Sequence, residues 1–289
     1  MPKKPTKFGY QQSIDVPQPI IFTAKFLRFI SPTLATNFAA RLFRSPIKFK
    51  IPDRELIMDA NSEQQVLHVP EIRKEIRVYT YGNGKKRILL AHGWSGRGTQ
   101  LVKIADHFIK LGYTTVSFDA PAHGKTGDKT TDMNEFIKSI MFLEEQHGPF
   151  EAAIGHSLGG MSLLNAVKRG LHIKKLVTIG SGDIVSHIMY DFVQKLGLKK
   201  DIGDRMIAKF ERTFNECMDD YSASLAAKDV HIPVLVAHAN DDLDVPVSAA
   251  HHIRQSLSNG HLLITDGLGH KRILGDKEVI EKIANFIES

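Results

Sequence analysis

Apolar and polar positions along the chain follow two periods that trade places in a regular way. Short runs of strand character occur at 64–69, 72–81, 86–91, 113–118, 152–155, 175–179, 233–239 and 261–265. Between them, apolar residues recur three and four apart, the spacing of a helix with one buried face. Leu101, Ile104, Ala105 and Phe108 fall on one such face and predict a helix over 99–111. Further helices are predicted over 132–147, 157–169, 247–257 and 277–287. The first two runs predict a strand pair. From 86 onward strand and helix alternate, which predicts an α/β fold: a mainly parallel sheet with helices on both faces and right-handed crossovers.

The alternation lapses twice. Residues 183–229 contain no strand-like run, while Ile207, Phe210 and Phe214 recur at helical spacing. Residues 20–45 predict a helix broken at Pro32, with Ser31 as the N-cap of the second half. Leu34, Phe38 and Leu42 mark its apolar side, and Arg41 and Arg44 its polar side. This basic amphipathic segment has two readings: a helix packed on the flank of the domain, or a peripheral contact with a membrane surface or lipid droplet. Residues 1–19 are polar and proline-punctuated and predict a loose arm. The expected organisation is an arm and amphipathic segment over 1–50, then one domain over 51–289 with a short helical insertion at about 183–229.

Composition narrows the class. A chain of 289 residues that is 42% hydrophobic can bury the core of one large domain. The net charge is +6 and the pI about 9.2, but Lys and Arg are spread along the chain with no nucleic-acid-binding motif, so no nucleic-acid partner is expected. The single cysteine, Cys217, excludes an internal disulfide and a cysteine-based zinc site. It suits a reducing compartment, and a cytoplasmic location is expected. The apolar stretch 20–30 is interrupted by Lys25 and Arg28 and is too short to span a bilayer. No export signal is read at the start of the chain.

In parallel sheets ligands sit beyond the carboxyl ends of the strands. His92, Asp119, Ser157, Asp183, Asp242 and His270 all follow predicted strands. The strongest local signal is Gly155-His156-Ser157-Leu158-Gly159, a G-x-S-x-G between a strand and a helix. The glycines admit a strained turn, and the turn raises the serine hydroxyl at the helix N-terminus, where negative charge is favoured. A serine hydroxyl is a weak nucleophile that needs a base, and the base needs an orienting carboxylate. His270 in Gly267-Leu268-Gly269-His270 and Asp242 in the loop 239–246 supply both, in the chain order Ser, Asp, His.

Four pieces now stand in order: HGW at 92–94, DAPAHG at 119–124, GHSLGG at 155–160, and the paired acid and GLGH loops. With them the chain resembles the α/β-hydrolase superfamily, in its esterase- and lipase-like serine hydrolase branch, over roughly residues 64–289. The resemblance implies that Ser157 attacks an acyl carbonyl and that His270 takes its proton and later delivers it to the leaving group. It implies Asp242 as the acid, because 239–246 matches G-x-x-D-x-x-V-P with Ala239 at the usual glycine. Asp241 and Asp244 compete for that role, and Asp183 would take it if the acid followed the earlier strand. The backbone N–H groups of Trp94 and Leu158 would form the oxyanion hole. The Trp94 ring either walls the acyl pocket or packs under a neighbouring loop.

By the same resemblance His92 and His123 brace loops, His156 can shape the pocket, and 183–229 is a cap over the site. Met189, Phe192, Met206, Phe210, Phe214 and Met218 give that cap apolar surface, partly to glue it to the sheet and partly to receive a hydrophobic acyl group. Cys217 is expected to pack. The expected reaction is hydrolysis of an ester-type bond in a small-molecule acyl substrate through an acyl-enzyme. Amidase or peptidase, thioesterase, carbon–carbon hydrolase and perhydrolase chemistry use the same triad and stay open, with an inactive binding protein as the distant alternative. Dehalogenase and epoxide hydrolase chemistry needs a carboxylate where Ser157 stands. No cofactor is expected, since no G-x-G-x-x-G opens a helix after a strand and no P-loop occurs. The triad needs no metal.

Overall fold

A computed structural model describes residues 16–289; most of the arm predicted over 1–19 lies outside the described residues. Two helices come first, α1 (Gln18–Ile30) and α2 (Pro32–Phe43), followed by the short α3 (Leu56–Asn61). A strand pair β1 (Glu63–Val69) and β2 (Lys74–Tyr81) leads into β3 (Lys86–Ala91), α4 (Val102–Lys110), β4 (Tyr113–Asp119), α5 (Met133–His147), β5 (Ala152–His156), α6 (Leu158–Lys168) and β6 (Lys175–Ile179). The helices α7 (Val185–Lys195), α8 (Lys200–Phe214) and α9 (Ala223–Ala227) fill the lapse. Then come β7 (Val234–Ala239), α10 (Ser248–Ser256), β8 (Gly260–Thr265), the one-turn α11 (Gly269–Arg272) and α12 (Lys277–Glu288).

The eight strands form one sheet in the order β1-β2-β4-β3-β5-β6-β7-β8. Only β2 runs against its neighbours: it pairs antiparallel with β1 and β4, and every later pairing is parallel. The central strands are covered on both faces, which is why they read as unbroken apolar runs. Successive side chains point to opposite faces. Ile88 and Leu90 of β3 and Ala152 and Ile154 of β5 join one buried cluster with α4 and α12. Leu89, Ala91 and Ala153 join the other, with α5, α6 and the helices α7, α8 and α9. The strand order sets β3 beside β5 and β5 beside β6, so the loops after these strands meet at the middle of one sheet edge.

Helix ends follow local chemistry. The Asp132 carboxylate caps α5 by accepting from Glu135 N–H at 3.1 Å, and Asp276 caps α12 by accepting from Val279 N–H at 3.0 Å. The insertion is helical, as its spacing predicts. Met189, Met206, Phe210 and Met218 are buried in it, whereas Cys217, expected to pack, is exposed. Cys217 lies in the polar turn Asn215-Glu216-Cys217 that joins α8 to a short 3-10 turn, outside the apolar face of either. No described helix is long and apolar enough to cross a membrane.

Candidate active site

Ser157 sits between the end of β5 and the first turn of α6, with φ 52° and ψ −117°. That is a left-handed conformation a serine adopts only under constraint from its surroundings. The constraint is close packing on both sides. A Cβ on Gly155 would lie 2.6 Å from the Gly159 carbonyl carbon, and a Cβ on Gly159 would run into the Ala91 carbonyl oxygen. Only glycines let β3, β5 and α6 approach this closely. The backbone is then pinned, since Ser157 N–H donates to Ile179 O at 2.9 Å and Gly160 N–H donates to Ser157 O at 3.0 Å.

Asp242 and His270 come together. Asp242 Oδ1 accepts from the N–H groups of Asp244 (2.8 Å) and Val245 (2.9 Å), which leaves Oδ2 to accept from His270 Nδ1–H at 2.7 Å. The Asp242 side chain is 1% exposed and that of His270 11%. The His270 ring lies against Gly180, where a Cβ would be 3.1 Å from Nδ1. His156 Nε2–H donates to the His270 carbonyl at 3.0 Å, with ring centroids 4.6 Å apart. His270 therefore adjoins both the residue before Ser157 and the end of β6, whose Ile179 carbonyl holds Ser157 N–H. Periodicity placed His270 in a loop; it belongs instead to the one-turn α11, which is too short to show a helical pattern.

Two of the competing acids serve other partners. Asp183 accepts from Ser224 N–H at 2.9 Å and pairs with His252 Nδ1 at 3.2 Å, tying α9 to α10. Exposed Asp241 accepts from Gly269 N–H at 3.2 Å and so tethers the histidine loop. The Asp244 carboxylate lies within 4.8 Å of the Asp242 and His270 atoms, but the hydrogen bond to the imidazole is Asp242's.

The loop after β3 forms the opposite wall. A Cβ on Gly93 would be 3.1 Å from Ser157 Cβ, and Trp94 follows Gly93 directly in the chain. Among the described residues neither Trp94 N–H nor Leu158 N–H has a protein acceptor. The Trp94 ring is 37% exposed and meets His123 edge-on at 5.2 Å. His92 Nδ1–H donates to Gly93 O at 2.7 Å, and its Nε2 accepts from Ala120 N–H at 3.2 Å. His123 Nε2 accepts from Ser95 N–H at 3.0 Å. Two braces were not legible in the sequence. Gln100 Oε1 accepts from Gly93 N–H at 2.9 Å, and Asp119 accepts from Gly98 N–H, Lys125 N–H and Tyr79 O–H at 2.7, 2.7 and 2.9 Å. Each joins residues distant in sequence, and only the strand-end position of Asp119 hinted at a role.

Burial keeps these histidines neutral. It lowers His92 to about 4 and holds His123 and His156 well below the usual histidine value. In the unfolded chain His92 titrates near 6.5. Between those values the unfolded state binds a proton that the folded state does not, so stability is complete above about pH 6.5 and declines as pH falls toward 4. The His92 contribution amounts to roughly 3 kcal/mol. The urea midpoint is expected to fall across this window, and to fall less steeply in His92→Gln. Equal slopes in the two proteins would remove His92 as a cause.

In the helical insertion, Met189, Phe210, Phe214 and Met218 line an apolar cavity of about 70 Å³ with Phe43 and Met133. Ser157, Asp242 and His270 do not line it; Phe43 of α2 and Met133 of α5 do.

A family described as alpha/beta hydrolase fold matches residues 86–214. No curated protein sequence matches the chain. Among solved structures, a membrane phospholipase A is similar at 16% identity over 93% of this chain and 96% of its own, with a TM-score of 0.62. An esterase from Exiguobacterium antarcticum (15% identity, 78% and 100%) and a bromoperoxidase from Bacillus anthracis (16%, 78% and 100%) each give a TM-score of 0.61.

Proposed function

Because this chain has the α/β-hydrolase fold, we propose that it is a serine hydrolase that cleaves ester-type acyl bonds through an acyl-enzyme. The observation that carries the reading is the 2.7 Å Asp242–His270 hydrogen bond, on a histidine whose carbonyl is held by His156, the residue before the strained turn that bears Ser157. With Nδ1–H committed to Asp242, the His270 lone pair is on Nε2 and can take the Ser157 proton. Ser157 Oγ then bonds to the acyl carbon, and the carbonyl electron pair moves onto its oxygen. The unpartnered N–H groups of Trp94 and Leu158 are the donors for that oxyanion. Collapse breaks the bond to the alcohol oxygen, which leaves with the proton from His270. Water repeats the sequence to release the acid and free Ser157. Solved structures of similar fold include proteins titled esterase and phospholipase, in keeping with ester substrates.

A panel of p-nitrophenyl esters, run beside amides and thioesters, tests the bond cleaved. Turnover of esters above the other two classes is the expected result, and thioester preference would replace the reading. A fluorophosphonate probe should label the native protein at neutral pH, and labelling that persisted in Ser157→Ala would place the nucleophile elsewhere.

His156 acts in this scheme as a positioning residue. Its Nε2–H fixes the His270 carbonyl, and burial keeps it neutral throughout the working range. His156→Gln is expected to lower kcat by about ten- to a hundredfold, the scale of a small misplacement of the base. The pH profile of the residual activity should keep its position, because the lost group was not titrating. A displaced acid limb would count against a purely positional role.

A further inference from the structure

Helix α1 carries two apolar stripes, and only one of them is used. Ile20, Ala24 and Leu27 face the core. Phe22, Phe26 and Phe29 repeat the same spacing two residues on, roughly 200° around the helix. They are 73%, 53% and 89% exposed, and Ile30 and Leu34 extend the patch at 56% and 45%. The Phe22 and Phe26 rings lie nearly parallel with centroids 6.4 Å apart. A helix fastened by one apolar face with a second aromatic face turned to solvent is a surface built to meet something apolar.

Charge identifies the partner. Lys and Arg are spread along the chain, but Asp and Glu are not. Residues 1–50 hold nine Lys and Arg against Asp15 alone, a net +8, so residues 51–289 carry −2 of the overall +6. Arg28 and Arg44 are neutralised by Asp201 and Asp132. Lys25, Arg41, Lys48 and Lys50 have no carboxylate partner among the described residues. Exposed aromatics on a helix too short to span a bilayer, in a segment whose cations far outnumber its carboxylates, fit the interface of an anionic membrane, where the rings enter the headgroup boundary and the cations meet phosphate. The helix is also anchored, since Arg28 joins Asp201 of α8 at 2.7 Å and Lys25 packs on Gly197. Binding would therefore hold the whole cap side against the bilayer.

We propose that the face formed by Phe22, Phe26, Phe29, Ile30 and Leu34 docks this protein on anionic phospholipid membranes. The docking does not depend on the hydrolase reading. The test is sedimentation of the full chain with vesicles of phosphatidylcholine, or of equimolar phosphatidylcholine and phosphatidylglycerol. Binding to the mixed vesicles should be at least about tenfold tighter and should weaken as salt screens the charges. The double variant Phe26→Ser/Phe29→Ser should lose about tenfold or more of that binding while keeping its circular dichroism and its turnover of a water-soluble ester. Ser157→Ala should bind as the native chain does, which separates this inference from the catalytic one. No binding by the native chain, or equal binding by the double variant, would overturn it. So would a native dimer that becomes monomeric in the double variant without vesicle binding, since the face would then join two copies of the chain.

Discussion

Ser157→Ala is expected to lose at least about 10⁴-fold in kcat toward any ester the native protein hydrolyses, because no other hydroxyl stands at the turn between β5 and α6 to form the acyl-enzyme. What remains should be the modest acceleration supplied by binding and by the Trp94 and Leu158 N–H groups. The fold should survive. The bonds that hold residue 157, from its N–H to Ile179 O and from Gly160 N–H to its carbonyl, are backbone bonds that alanine keeps. A companion variant separates chemistry from strain. At φ 52° alanine suffers the same steric cost as serine, whereas glycine does not. Ser157→Gly should therefore be as inactive as Ser157→Ala yet melt higher, by roughly 1 kcal/mol of stability. Stopped assays on p-nitrophenyl esters and thermal melts read both quantities. An alanine variant with substantial turnover would move the nucleophile away from residue 157. A glycine variant no more stable than the alanine one would remove the strain from the account.

Much of this site was legible because its parts are local. G-x-S-x-G states in five residues that a strand must turn sharply into a helix. The central strands are buried on both faces, so they appear as short apolar runs that fix their own limits. Elements of a few residues escaped for the opposite reason: α3 and α11 are too short to complete a helical pattern. Pairings between distant residues escaped as well. Nothing in the run PVLVAHA reveals that His238 lies fully buried against Asp242, or that Asp119 gathers donors from Tyr79, Gly98 and Lys125. In α1 the sequence showed an apolar stretch interrupted by Lys25 and Arg28, without saying which residues would face the core. Only packing in the fold decided that Ile20, Ala24 and Leu27 turn inward while Phe22, Phe26 and Phe29 turn outward.

Asp242→Asn is expected to cost about 10⁴-fold in kcat, the scale seen when the orienting carboxylate of a serine protease triad becomes an amide. The local hydrogen bonds leave asparagine no good orientation. If its oxygen keeps the N–H groups of Asp244 and Val245, its NH₂ faces the His270 Nδ1. That nitrogen must then accept, the proton moves to Nε2, and the imidazole can no longer take one from Ser157. The same NH₂ would also face His238 Nε2, which donates to Val245 O at 3.0 Å and lies 3.4 Å from Asp242 Oδ2. If the amide flips, its NH₂ meets two backbone donors instead. Both placements set donor against donor in a site where the carboxylate is 1% exposed, so stability should fall too, by roughly 1–3 kcal/mol. Asp183→Asn is the control. Asp183 is as buried, but it serves Ser224 N–H and His252. Its loss should loosen the packing of α9 on α10 and lower the melting temperature while leaving kcat within about tenfold of native. Asp244→Asn, which keeps the backbone N–H that Asp242 uses, should likewise stay within about tenfold. Steady-state kinetics on the three variants distinguish the candidates directly, and a collapse of kcat in Asp183→Asn or Asp244→Asn, with Asp242→Asn near native, would reassign the acid.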